Sequence, residues 1–224
     1  MIPWELLDRA QIPGTGEGLC LYRHGQDFSI RVNSEELMNS RVHGSEEVLA
    51  ERACARIADR PCPRVLIGGL GMGYTASAAL RRLGADSQVV VAEIVPAVVA
   101  WNRGPLAELA GRPLADPRVV IREIDIARIL HDEQDTYDAI VLDVDNGPEG
   151  LTRKGNHWLY SHPGLKAAFA ALRAAGVLAV WSAAPDRSFS RRLHQVGFAV
   201  QEIGVNARAV GKGSRHTIWL GVRP

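Results

Sequence analysis

The chain has 224 residues, with 26 Lys+Arg against 25 Asp+Glu and a formal net charge of +1. That length suits one domain of ordinary size with at most a small appendage, and 46% hydrophobic with 23% charged residues excludes a disordered or fibrous chain. So even a charge balance argues against a protein that wraps nucleic acid or lies on an anionic membrane.

No stretch reaches the roughly 18 apolar residues that a membrane span needs. The opening Met-Ile-Pro-Trp-Glu-Leu-Leu-Asp-Arg lacks the basic segment and apolar run of a signal peptide. Cys20, Cys54 and Cys62 are odd in number and form no CxxC pair, so they read as reduced thiols, with Cys54 on a buried helix face. Metal-site spacing is absent. These features together predict a cytoplasmic location and no metal.

In chain order, residues 1–44 are loop-rich, and the short alternating runs Leu19–Tyr22 and Phe28–Val32 predict a small antiparallel hairpin. A larger unit is expected over 45–224. It opens with Ser45-Glu46-Glu47, an N-cap and two first-turn carboxylates, ahead of the apolar Val48, Leu49, Cys54 and Ile57. Beyond Arg60-Pro61-Cys62-Pro63 a strand–helix alternation begins. Apolar runs at Val65–Ile67, Val89–Ala92, Val119–Ile121, Ala139–Leu142 and Val177–Trp181 are separated by helical segments at Thr75–Leu83, Pro96–Ala110, Ile126–His131 and Pro163–Ala175. Continuous apolar strands between helices predict a parallel sheet covered on both faces. Phe198–Ile203 and His216–Val222 leave no room for a crossover helix, so they should pair antiparallel. The fold class is therefore α/β: a class I methyltransferase-like, Rossmann-like sheet with an antiparallel terminal strand.

Chemistry concentrates after the first parallel strand, in Val65-Leu66-Ile67-Gly68-Gly69-Leu70-Gly71-Met72-Gly73-Tyr74-Thr75. Gly68, Gly69, Gly71 and Gly73 let the chain turn tightly and let a ligand approach where a Cβ would collide, which points to a nucleotide or nucleoside. Read as Gly71-x-Gly73-x-x-Ala76, the turn also fits a dinucleotide fingerprint. Glu93 ends the second strand 22 residues after Gly71, where a carboxylate accepts from both hydroxyls of a ribose. Asp125, after the third strand, is placed to hold the adenine amino group or to cap the next helix. Asp143 and Asp145 follow the fourth strand and lead into the turn-forming Asn146-Gly147-Pro148. His43 lies beside the expected crevice. Trp101, Trp158 and Trp181 read as packing, and Arg191-Arg192 as a solvated helix face.

These residues resemble the spermidine/spermine synthase family, aminopropyltransferases on a methyltransferase-like fold. The likeness spans about 28–185 and rests on Val-Leu-Ile-Gly-Gly at 65–69, Val-Ala-Glu-Ile-Val at 91–95, Asp-Pro-Arg-Val at 116–119 and Tyr-Asp-Ala-Ile-Val-Leu-Asp at 137–143. It implies that Glu93 holds ribose, that Asp125 holds adenine and that Asp143, with Asp145 beside it, is the base for an attacking amine. The co-substrate so implied is decarboxylated S-adenosylmethionine and the partner a small-molecule amine, a step of polyamine biosynthesis. Dimerisation is common in that family, so a homodimer is the assembly the resemblance allows.

The chain departs from the family on the amine side. Leu70 and Gly71 stand where the family has a glycine and an aspartate, and Asn146 stands three residues after Asp143 where it has a second acid. The usual glutamine before the first helix is absent, its place nearest Met38, and the Tyr-His-Glu stretch survives loosely as His43-Gly44-Ser45-Glu46. His43, Glu46 and Asn146 are accordingly candidates for the substrate pocket. The same glycine turn and ribose acid would serve a methyltransferase binding intact S-adenosylmethionine, with Arg41 or amides near Gly69 on its carboxylate. They would equally serve a non-catalytic nucleoside-binding protein, whereas a nicotinamide-dependent oxidoreductase finds no hydride-transfer partner in the sequence.

Overall fold

The computed structural model describes residues 3–144, 157–206 and 215–224. A four-stranded antiparallel sheet of β1 (Glu5–Gln11), β2 (Gly18–His24), β3 (Asp27–Val32) and β4 (Glu35–Asn39) comes first, in that spatial order. The hairpin expected from the sequence is β2–β3, paired from Leu19↔Val32 to His24↔Asp27, and a strand is added on each side of it. Both added strands are edges. Their burial alternates weakly and they carry charges, which is how exposed edges are kept from pairing with other chains.

After α1 (Gly44–Cys54) come β5 (Arg64–Gly68), α2 (Tyr74–Arg82), β6 (Gln88–Ala92), α3 (Pro96–Arg103), β7 (Val119–Arg122), α4 (Ile126–Asp132) and β8 (Tyr137–Leu142). They are followed by α5 (His157–Tyr160), α6 (His162–Ala171), β9 (Leu172–Ser182), α7 (Arg187–Val196), β10 (Ala199–Asn206) and β11 (Arg215–Val222). The second sheet has seven strands in the order β10-β11-β9-β8-β5-β6-β7. Strands β5 to β9 pair in parallel and β11 pairs antiparallel with both β9 and β10, as the short connection before it requires.

Alternate strand residues face opposite layers. Val65, Ile67, Val89, Val91, Ala139 and Val141 join a core with α1, α2, α3 and the small sheet's Leu19, Leu21, Ile30 and Val32. Leu66, Val90, Ile140, Leu142, Leu178 and Val180 face α4, α6 and α7. The small sheet therefore packs into the core of the large one. Trp101 of α3, buried as expected, adds a polar tie by donating its Nε1–H to Asp8 Oδ2 of β1 at 2.7 Å.

Four local expectations change. Ser45 does not cap α1; the cap position is His43, and Ser45 is buried in the first turn with Oγ 3.0 Å from His216 Nδ1. The helix from Pro96 ends at Arg103 because Gly104 leaves the helical region. The helix expected to reach Ala175 stops at Ala171, since Leu172 turns extended and pairs with Tyr137. Helix propensity in Leu-Arg-Ala-Ala gives way there to a strand-pairing partner. Arg192 is also more than a solvated charge, as its Nη2 lies 3.3 Å from Asp186, the residue that caps α7.

At the amino ends of the strands, Asp138 is buried and holds Arg60 at 2.7 Å, Arg173 at 2.8 Å and the Arg64 amide at 2.8 Å. Asp138→Ala leaves the Arg64 amide without its acceptor, at about 1–3 kcal/mol, while Arg60 and Arg173 reach solvent. It is expected to lower the melting temperature by about 6 °C, at about 2–4 °C per kcal/mol for a chain of this size; a change under about 2 °C in calorimetry would contradict this.

Candidate functional site

Strands β5, β6 and β7 step one way across the sheet and β8 and β9 the other, so the chain reverses direction between β5 and β8. A crevice outside the carboxyl ends of the strands is the usual binding place at such a reversal. Asp125 stands past β7, Glu93 past β6, the glycine turn past β5 and Asp143 past β8. Three strand spacings separate the first from the last, about 14 Å.

Glu93 is the fixed point. It is buried, its Oε2 accepts from Leu70 N at 3.0 Å and its Oε1 from Val95 N at 2.8 Å. One carboxylate therefore holds the glycine turn and the start of α3 together. The carboxylate also lines the cavity. Gly69 (φ +84°) needs its glycine twice over: the conformation is left-handed, and a Cβ would lie 2.7 Å from the Asp143 carbonyl oxygen. That contact is what lets the ends of β5 and β8 close on each other, with Asp143 N donating to Gly68 O at 3.1 Å. Gly68 ends β5, while Gly71 (φ +54°) and Gly73 (φ +86°) complete the turn into α2. Asn102, buried on α3, donates to Gly71 O at 2.8 Å and to Val98 O at 2.9 Å.

Asp125 is exposed and caps α4, its Oδ1 accepting from Ala127 N at 2.8 Å, and it also lines the cavity. The two roles read from the sequence are thus compatible. Asp143 accepts from Thr75 Oγ1 at 2.5 Å, and burial pushes its carboxyl up to about 6 against that hydrogen bond. Glu46, in the first turn of α1, is held well above the usual carboxylate range by burial, then by the charges of Asp143 and Glu47. The structure therefore brings Glu46 and Asp143, both half-buried, into one electrostatic site as like charges.

His43 stands next to that pair, outside the cavity. Its ring stacks on Tyr74 at 3.9 Å and 10°, and Nδ1 meets Glu47 Oε1 at 2.7 Å, while Glu47 Oε2 takes Arg81 at 3.0 Å. Tyr74 donates to Ser40 O, and burial followed by Glu46 and Glu47 pushes its phenol up to about 12. Asp145, Asn146 and the loop 147–156 lie outside the described residues.

At this edge of the sheet lies a cavity of about 120 Å³, whose lining does not include Glu46 or His43. Its sheet side carries Gly69, Gly71, Glu93, Ile94, Asp125 and Asp143; its roof is Ile12, Leu19, Ile30, Val32, Leu37 and Met38 of the small sheet, with Glu17 beside them. Among the described residues its ionisable lining is four carboxylates, Glu17, Glu93, Asp125 and Asp143, with no Lys, Arg or His. Arg41 is exposed and does not line it. No group of His, Cys, Asp and Glu among the described residues is arranged to hold a metal, and no described helix is long and apolar enough to cross a membrane.

Glu17, Leu37, Thr75 and Asn102 carried no signal in the sequence, and Met38 stood out only as the place of the family's missing glutamine. Thr75 read only as a helix start, and nothing around Glu17 distinguishes it from a solvated turn acid.

No protein-family model and no curated protein matches the sequence. Solved structures do. Spermidine synthase from Thermotoga maritima aligns with TM-score 0.77 and 17% identity over 98% of this chain and 73% of its own. A spermidine synthase in complex with the transition-state analogue AdoDATO gives 0.76 and 16% over 98% and 72%. A probable spermidine synthase from Corynebacterium glutamicum gives 0.63 and 14% over 97% and 79%. The chain has the α/β, methyltransferase-like architecture of this class. Its fold is that of the spermidine synthases.

The raised carboxyl at Asp143 has a stability consequence. The folded chain retains that proton up to about pH 6, whereas an unfolded aspartate loses it near 3.8, so ionisation costs the folded state above pH 4. Asp143→Asn keeps an acceptor for Thr75 and removes the charge. It is expected to stabilise the protein by about 2 kcal/mol, about 4–8 °C, above pH 6 and by nothing at pH 4. Thermal melts across that range check the sign; a gain present at pH 4 and absent at pH 7 would reverse it.

Proposed function

We propose that the chain is a spermidine synthase-like aminopropyltransferase, moving the aminopropyl group of decarboxylated S-adenosylmethionine to a small amine and releasing methylthioadenosine. The observation that carries this reading is the cavity lined by four carboxylates and no cation among the described residues. Such a lining favours a ligand that carries positive charge and no carboxylate of its own, because a buried ammonium or sulfonium must be balanced and a ligand carboxylate would be repelled. The likeness to spermidine synthases supports it as a likeness of fold.

The chemistry follows from the residue order along the crevice. Asp125 and Glu93 hold adenine and ribose. The sulfonium then falls at the glycine turn, leaving the aminopropyl carbon near Asp143. The acceptor enters as an ammonium attracted to Glu46 and Asp143. It becomes a nucleophile only when its proton passes to a carboxylate, and Asp143, with a carboxyl near 6, is matched to that transfer at neutral pH. The free amine attacks the methylene beside sulfur and the carbon–sulfur bond breaks. The electron pair stays on sulfur, so neutral methylthioadenosine leaves.

Calorimetric titration with decarboxylated S-adenosylmethionine, intact S-adenosylmethionine and methylthioadenosine tests the reading. The decarboxylated form should bind at least tenfold more tightly than the intact one, with methylthioadenosine also bound. Preference for intact S-adenosylmethionine would point instead to methyl transfer, and binding without turnover across a panel of di- and polyamines to a non-catalytic protein. Where turnover is found, kcat/KM should rise with pH and level off above about 6 as Asp143 ionises. Asp143→Asn should abolish turnover while methylthioadenosine still binds; retained turnover would remove the base assignment.

A further inference from the structure

Strands β3 and β4 do not pair one-to-one. Arg31 faces Glu36 and Ile30 faces Met38, so one step on β3 spans two on β4 and Leu37 is the extra residue. In a regular strand Leu37 and Met38 would point to opposite faces. With the bulge between them, both line the cavity. A bulge of this kind re-aims side chains and is common beside binding sites. Here it brings Met38 against the glycine turn: a Cβ placed on Gly71 would lie 3.1 Å from Met38 Sδ and 3.2 Å from its Cε. Met38 thus covers the stretch of turn between Gly69 and the start of α2. This is where the group on sulfur must lie if Glu93 holds the ribose.

We infer that Met38 is a specificity-determining residue, a flexible apolar stop that sets how long a chain the nucleoside's sulfur can carry. The inference rests on the nucleoside reading of the cavity and adds to it the limit on the sulfur substituent. Met38 reaches the turn through three rotatable bonds and has no charge to offer, so it selects by length and shape. The acids that could pair with a terminal ammonium stand elsewhere, at Asp143 and Glu46. Shortening Met38 should therefore change tolerance for chain length while the ribose and adenine contacts stay as they are.

The test uses uncharged probes, which separate length from charge: adenosines carrying 5′-methylthio, butylthio, pentylthio and hexylthio groups, with Kd measured by calorimetry. Butyl matches an aminopropyl group in length, so for the native chain affinity should hold to butylthio and fall toward hexylthio. Met38→Ala should raise the hexylthio-to-butylthio affinity ratio about tenfold, as expected for room for about two more buried methylenes. Met38→Val, better suited to a strand, should raise it by a smaller factor and decides the matter if the alanine variant does not fold. An unchanged ratio in a folded variant overturns the role of Met38 and leaves the nucleoside reading standing. Failure of the native chain to bind any of the four overturns both.

Discussion

The site depends on one carboxylate used twice. Glu93 accepts from the amide of Leu70 in the glycine turn and from the amide of Val95 at the start of α3, and so ties those two segments together. Charge-assisted bonds to backbone amides are among the stronger ones a protein makes, and both are buried here. Asn102 repeats the connection two turns further along α3 by holding the Gly71 carbonyl. The turn is therefore held from outside by side chains at the end of β6 and on α3, as well as shaped by its own glycines.

Around that fixed point the two sheets divide the work. The large sheet brings the acids to its carboxyl edge in the order Asp125, Glu93, Asp143. The small sheet supplies an apolar roof and seats itself by continuing the large sheet's core through Leu19, Leu21, Ile30 and Val32. Folding and roofing the cavity are consequently one event. The link between Trp101 and Asp8 is where α3, which carries Asn102, meets the first strand of the roof.

Much of this was readable in the residues because parallel strands buried on both faces are written as unbroken apolar runs. Val65–Ile67, Val89–Ala92 and Ala139–Leu142 marked β5, β6 and β8, and the ligand-facing ends followed from them. The glycines and Glu93 were visible for the same reason, since they sit where a strand stops. The edges were harder. β1 and β4 bury no residue fully and lack a clean alternation, and the end of α6 depended on Tyr137, 35 residues earlier, offering Leu172 a partner. The Leu37 bulge is a mismatch between two strands and has no local signature. Asp143 was found by position, but its environment depends on Thr75 and Glu46, which come from two different helices.

The cavity's four carboxylates belong to a chain whose formal charge is only +1. Negative potential is thus a property of the crevice and not of the molecule as a whole. At physiological ionic strength it fades within about 8 Å of the mouth. A cation diffusing past the protein meets little attraction until it is nearly at the entrance, and is then drawn along low-dielectric walls that concentrate the field. The result is a charge contrast felt only at short range, while the chain as a whole, with 26 basic residues to set against 25 acidic ones, gives large polyanions and polycations alike little to hold.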